Sequence, residues 1–268
     1  MWRLSFVLGV AIGIANSATA APSQRHASPG MTLVGPGVYR PLYPASPAER
    51  EVPVKMFLLD TKPVTNGEFL AFVRTHQEWR RDAVKRVLAD PDYLVHWEGP
   101  DSLGPTVRAA SPVTYVSWFA AKAFCAARSA RLPTEREWEL AALATEAAPD
   151  GSRDPAWTAR ILRFYSEPAS SPALGDVGKG KPNYWGVYDM HGLIWEWIYD
   201  FGASLVTSDS REKGAADQSR FCGASGADSQ NPADYASFMR IAFRSSLEAP
   251  YTTARLGFRC ARDMKETR

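Results

Sequence analysis

The side chains that most often carry metal or nucleophilic chemistry are few in this chain. Its four histidines, His26, His76, His96 and His191, are scattered. No H-x3-H or HExxH spacing puts two imidazoles on one helix face, so a histidine-built zinc or iron centre has little support. Each reads as a surface or locally bonded imidazole. The three cysteines, Cys125, Cys222 and Cys260, include no CxxC pair. They allow three choices of disulfide and leave one thiol over. A P-loop and a GxGxxG turn are both missing. The stretch "CGASGA" fails as a nucleophile elbow because Ala227 stands where the final Gly belongs, which argues against a serine hydrolase.

The elements that would position any site are clearer. In "RLPTEREWELAALA", Thr134 is a good N-cap, Glu137 completes a capping box, and Trp138, Leu140 and Ala141 begin an apolar face. A second box, Thr65 with Glu68, opens "NGEFLAFVRTHQEW", whose core face is Phe69, Phe72 and Val73. Ser117 caps a third helix with Trp118, Ala121, Phe124 and Cys125 on its apolar side. Val52 to Asp60 reads as one buried strand. Beyond Thr145, Gly, Pro, Ser, Asn and Asp recur every few residues and helical periodicity fades, which predicts short strands and long ordered loops. No fixed-period repeat and no break in composition marks a second domain.

Residues 1–20 carry one Arg, an apolar run from Leu4 to Ile14 and the small-x-small site Ala18-Thr19-Ala20. This is the pattern of a signal peptide, and the run is too short for a membrane span. Residues 21–45 read as an N-terminal leader and first strand, and 46–268 as the folded domain. The mature product is expected to be soluble and periplasmic or secreted, where a disulfide is permissible. With 31 basic residues against 29 acidic ones, one of the former lost with the leader, no charge excess favours nucleic acid or an anionic membrane as partner.

Four motifs, "VTNGEFLAFV", "PVTYVSWFAAKAFCAARSARLPTEREWELAA", "NYWGVYDMHGLIWEW" and "LGFRCA", occur in that order. Together they resemble the formylglycine-generating enzyme (sulfatase-modifying factor) family, from about Val52 to Arg262. The resemblance implies an α+β fold related to C-type lectins, with little regular secondary structure. It implies a disulfide between Cys125 and Cys260, with Cys222 the free thiol. It also implies a calcium site of Asp189 and Glu196 with the carbonyls of Gly192 and Ile194, an all-oxygen set suited to a hard cation. The copper oxidases of the family hold their metal through two thiolates, and the matching positions here are Asn231 and Ala236. No copper is therefore expected, since soft thiolates are what Cu(I) requires.

For substrate contact the resemblance points to "NPADYASFMRIAFRSS", with Tyr235, Arg240, Arg244 and Ser245 as its polar or aromatic members. Arg can grip a carboxylate with two parallel bonds and Tyr can stack on a planar ligand. Arg244 and Arg259 read first as buried structural partners, which leaves Tyr235 and Arg240 the more informative pair. The branch that fits best is exported and single-domain, as in PvdO-like and NirV-like members. The expected role is maturation of an exported protein, peptide or siderophore-like substrate, by siderophore-chromophore oxidation or support of a nitrite reductase. A noncatalytic ligand- or protein-binding module is the alternative, and the copper-dependent oxidase the least favoured reading.

Overall fold

The computed structural model describes residues 30–44, 46–166, 173–202 and 232–264. Local capping sets its first three helices. At α1 (Asn66–Thr75), Thr65 Oγ1 accepts from the Glu68 amide and the Glu68 carboxylate accepts from the Thr65 amide. Ser117 caps α2 (Trp118–Ala127) by accepting from the Ala120 amide. Before α3 (Glu135–Ala142), the amide and hydroxyl of Thr134 both donate to Glu137 Oε2. Such caps satisfy amides that the first turn leaves without partners. The buried faces are those the periodicity selects: Phe69, Phe72 and Val73, then Ala121, Phe124 and Cys125, then Trp138, Leu140 and Ala141.

The strands are short. β1 (Met31–Val34), β4 (Phe57–Asp60) and β7 (Ala261–Asp263) form an antiparallel sheet with β4 in the centre, Met31 opposite Asp60 and Leu59 opposite Ala261. β2 (Gly37–Tyr39) pairs with β3 (Val52–Val54), and β5 (Trp195–Glu196) runs parallel to β6 (Leu256–Gly257). Val52 to Asp60 is thus two strands in two sheets, broken at Lys55 and Met56, and not the single strand expected. All four residues of β4 are buried, as a central strand requires. β3 carries Pro53, which has no amide to donate and suits a two-stranded ribbon.

A second departure lies beyond Thr145, where two helices stand among the described residues in place of loops: α4 (Pro155–Ser166) and α5 (Pro232–Ser245), packed on each other. Asp154 Oδ1 accepts from the amides of Ala156 and Trp157 to start α4. α5 was hidden because its buried face includes Arg240 and Arg244, so its pattern of apolar residues is interrupted by charge.

Two cores result. One holds Phe69, Trp97, Phe124, Trp197 and Phe258, and the other Val34, Phe57, Leu59, Trp138 and Ile198. In the first, Cys125 of α2 and Cys260, which precedes β7, form a disulfide with Cα atoms 5.5 Å apart and a sequence separation of 135. Among the described residues, no helix is long and apolar enough to cross a membrane.

Candidate functional site

The acids Glu135 and Glu139 stand one turn apart on α3, and Arg240 and Arg244 one turn apart on α5. This matched spacing brings the two helices together through charge. Arg240 donates to Glu139 from Nε (2.9 and 3.1 Å) and from Nη2 (2.7 Å), and Arg244 Nη1 reaches Glu139 Oε1 at 2.7 Å. The remaining nitrogen of Arg240 meets Tyr165 Oη at 3.4 Å, and its Nη2 also meets Ser237 Oγ at 3.0 Å. The Arg244 guanidinium lies 4.9 Å from the centre of the Trp138 ring, adding a cation–π contact. Burial alone would raise the Glu139 carboxyl, but Arg240 and Arg244 outweigh it and hold the group at about 2. Glu135 moves the other way: burial pushes it up, Arg244 opposes, and Glu139 and Asp200 push it further up.

Beside this cluster lies a cavity of about 230 Å³. Glu135, Glu139, Trp157, His191, Ala236 and Arg240 line it, with aliphatic walls between them. His191 Nε2 stands 2.9 Å from the Ala142 carbonyl, so that nitrogen carries the proton and Nδ1 is a bare acceptor. Burial, then the nearby Arg240 charge, lowers the imidazole to about 4, which keeps it neutral. Both His191 Nδ1 and the Trp157 indole nitrogen are buried without a hydrogen-bond partner.

Of the four residues expected at a cleft, the fold brings Arg240 and Arg244 together on Glu139. It leaves Tyr235 exposed, and the Ser245 hydroxyl donates to the Ala242 carbonyl of its own helix. Neither Tyr235 nor Ser245 lines the cavity. Reading the sequence overlooked Glu135, Glu139, Trp157 and His191. The signal that could have found the acids was their four-residue spacing, matched by that of the two arginines. Cys222 and Asn231 lie outside the described residues.

The calcium-type turn has all-oxygen candidate donors. Asp189 adopts a left-handed backbone (φ 57°) and its Oδ2 accepts from the Gly178 amide, while Gly192 has φ 99°. Glu196 has a partner that the sequence reading did not assign: fully buried Arg259 donates to Oε1 (2.7 Å) and Oε2 (2.8 Å), and the Trp138 indole also donates to Oε2. Arg259 further donates to the carbonyls of Asp60 and Tyr188. Oε1 therefore accepts one bond and keeps a lone pair, so a hard cation fits here only by sharing Glu196 with a guanidinium.

The family model of the sulfatase-modifying factor enzyme 1-like domain matches residues 16–264. The chain belongs to that family. It is 32% identical over 248 residues to inactive C-alpha-formylglycine-generating enzyme 2 of Mus musculus, covering 79% of this chain and 77% of that one. It is 29% identical over 263 residues to the formylglycine-generating enzyme of Streptomyces coelicolor, covering 81% and 83%. The structure of PvdO from Pseudomonas aeruginosa is 20% identical with a TM-score of 0.48, covering 87% of this chain and 94% of that one. The fold is accordingly that of the formylglycine-generating enzymes, mixed helix and sheet with modest regular secondary structure. In this family member, Ala236 is buried in the cavity wall.

Proposed function

We propose that this protein is a copper-independent member of the family that binds an exported substrate in the cavity beside α3 and α5 and serves in its maturation. One observation carries the reading. Two of its three cysteines are joined to each other, so at most one thiol remains, and a two-thiolate copper site cannot be assembled within one chain. The relative described as an inactive enzyme 2 supports an accessory or binding role. A cavity of about 230 Å³ admits a side chain or a small ring, not a folded surface, which favours a peptide or a siderophore-like small molecule over a whole-protein partner such as a nitrite reductase. Export to the periplasm or medium is read from residues 1–20, and the disulfide is consistent with an oxidising compartment.

The test is direct. The purified protein, with and without added Cu(I), is incubated with a cysteine-containing sulfatase peptide and the products are weighed by mass spectrometry. No formylglycine and no stoichiometric copper are expected, and either one would overturn the proposal.

Calcium is proposed as a structural ion held by Asp189, the carbonyls of Gly192 and Ile194, and the remaining lone pair of Glu196 Oε1. Its chemistry would be electrostatic, offsetting the repulsion between the two carboxylates. Elemental analysis should give calcium near one per chain, and chelation should lower the melting temperature of the wild type more than that of Asp189→Asn. Equal sensitivity of the two would leave Glu196 solely as the partner of Arg259.

A further inference from the structure

The cavity beside α3 and α5 has an uneven set of polar groups. Arg240, the basic side chain of its interior, has all three guanidinium nitrogens engaged, by Glu139, Ser237 and Tyr165. Arg40, exposed at the rim, is paired with Glu51 and stands 3.7 Å from Asp150. Glu139 is likewise taken up by the two arginines. Glu135 is different. Its carboxylate receives no hydrogen bond from a described residue, and its nearest cation, Arg244 Nη1, is 3.5 Å away and already bonded to Glu139 at 2.7 Å. His191 Nδ1 and Trp157 Nε1 also lack partners, but both are sealed from the cavity by packing, the indole edge of Trp157 lying against Gly151. Val38, Leu42, Leu140, Ile161 and Ile241 supply apolar wall between them.

We infer that the cavity recognises a cationic ligand group, an ammonium or amine carried on a short apolar or aromatic stem, with Glu135 as its counter-ion. The inference rests on the cavity being the binding site of the proposed function and adds the chemical class of what enters it. An ammonium brings three donors and no acceptor, which suits a site whose unmatched acceptor is the Glu135 carboxylate. Binding also adds a positive partner to Glu135 beyond Arg244, which it shares with Glu139, and so favours the ionised carboxylate that burial disfavours. A carboxylate ligand would meet Glu135 with no free interior cation among the described residues to hold it. The stem fits the aliphatic walls.

Three probes of one shape separate the possibilities: phenethylamine, 2-phenylethanol and phenylacetate, titrated by calorimetry and thermal shift into the disulfide-bonded mature protein. Phenethylamine should bind at one per chain, at least tenfold more tightly than 2-phenylethanol, with phenylacetate weakest. Glu135→Gln should abolish the preference for the amine over the alcohol while retaining the wild-type circular dichroism. Should that variant fail to fold, the order of the three probes on the wild type still decides. If phenylacetate binds best, the inferred class is wrong while the cavity stands as a binding site. If none binds, both the class and the cavity reading fail. An amine preference that survives Glu135→Gln removes Glu135 as the counter-ion and overturns the inference.

Discussion

Glu139 is the residue on which the α3 to α5 contact turns. Its carboxylate is almost enclosed, and two guanidiniums converge on it. Removing its charge leaves two buried arginines without a full partner, a change that costs about 3–5 kcal/mol in comparable buried pairs. Glu139→Gln should therefore lower the denaturant midpoint sharply, whereas Tyr235→Ala, at an exposed position of α5, should leave it nearly unchanged. Three residues also set the acid limit of stability, His191 among them, held at about 4 chiefly by burial. His96 is lowered to about 4, by burial first and then by Arg81, against an ordinary value of 6.5. A depressed folded value means that the unfolded chain takes up the proton first. This contribution is fully present above 6.5, declines as pH falls, and is lost by about 4. Glu139, lowered from 4.5 to about 2, adds a second loss between those values. Each shift corresponds to about 3 kcal/mol. Urea titrations from pH 7.5 to 3 should show an early decline that His96→Asn reduces without abolishing, because His191 shares its window, and a later one that Glu139→Gln removes. A flat profile above pH 5 in the wild type would contradict the first assignment.

At the scale of elements, the capped helices and the tight strand crossings make different demands. Loss of the Thr134 side chain removes a hydroxyl bond to Glu137 and should cost about 1 kcal/mol. Gly257 in β6 is held more strictly, because a Cβ there would fall 2.3 Å from the Val113 carbonyl oxygen and 2.8 Å from Ile194 Cδ1. Gly257→Ala must push backbone aside, so it should cost about 3 kcal/mol, at the upper end of ordinary overpacking. A thermal midpoint lower for Gly257→Ala than for Thr134→Ala is the expected order. The same contrast explains what could be read in advance. The starts of α1, α2 and α3 were legible because their caps involve residues three apart. The split between β3 and β4 was not, since an apolar run does not reveal which of two sheets each half joins. α5 was missed because the pairing of Arg240 and Arg244 with acids on α3 makes a buried helical face look polar.

For the molecule as a whole, the Cys125–Cys260 bond closes a loop of 135 residues that includes α3 and α4 and runs between α2 and the C-terminal strand. By loop entropy it should contribute about 5 kcal/mol. Reduction, or the double Cys125→Ala/Cys260→Ala change, should shift the unfolding midpoint by a corresponding amount. A midpoint unmoved by reductant would show that the unfolded chain gains little freedom when the bond opens. The disulfide ties the core that carries Phe124 and Phe258, while the charge cluster ties α5 onto α3. The cavity sits beside the second tie, which explains why its lining includes both helices.

The sequence by itself determined the helix caps, the ordered family motifs and the shortage of thiols at Asn231 and Ala236, because residue identity and short spacings decide these. It also named Arg240 and Arg244 from resemblance. Tertiary structure alone decided that these two meet Glu139, that Arg259 takes Glu196, and that Tyr235 and Ser245 stand aside. The physical reason is distance along the chain. Arg240 and Glu139 are 101 residues apart, and Arg259 and Glu196 are 63 apart. Whether an Arg faces solvent or a buried acid is set by packing, which composition and periodicity do not encode.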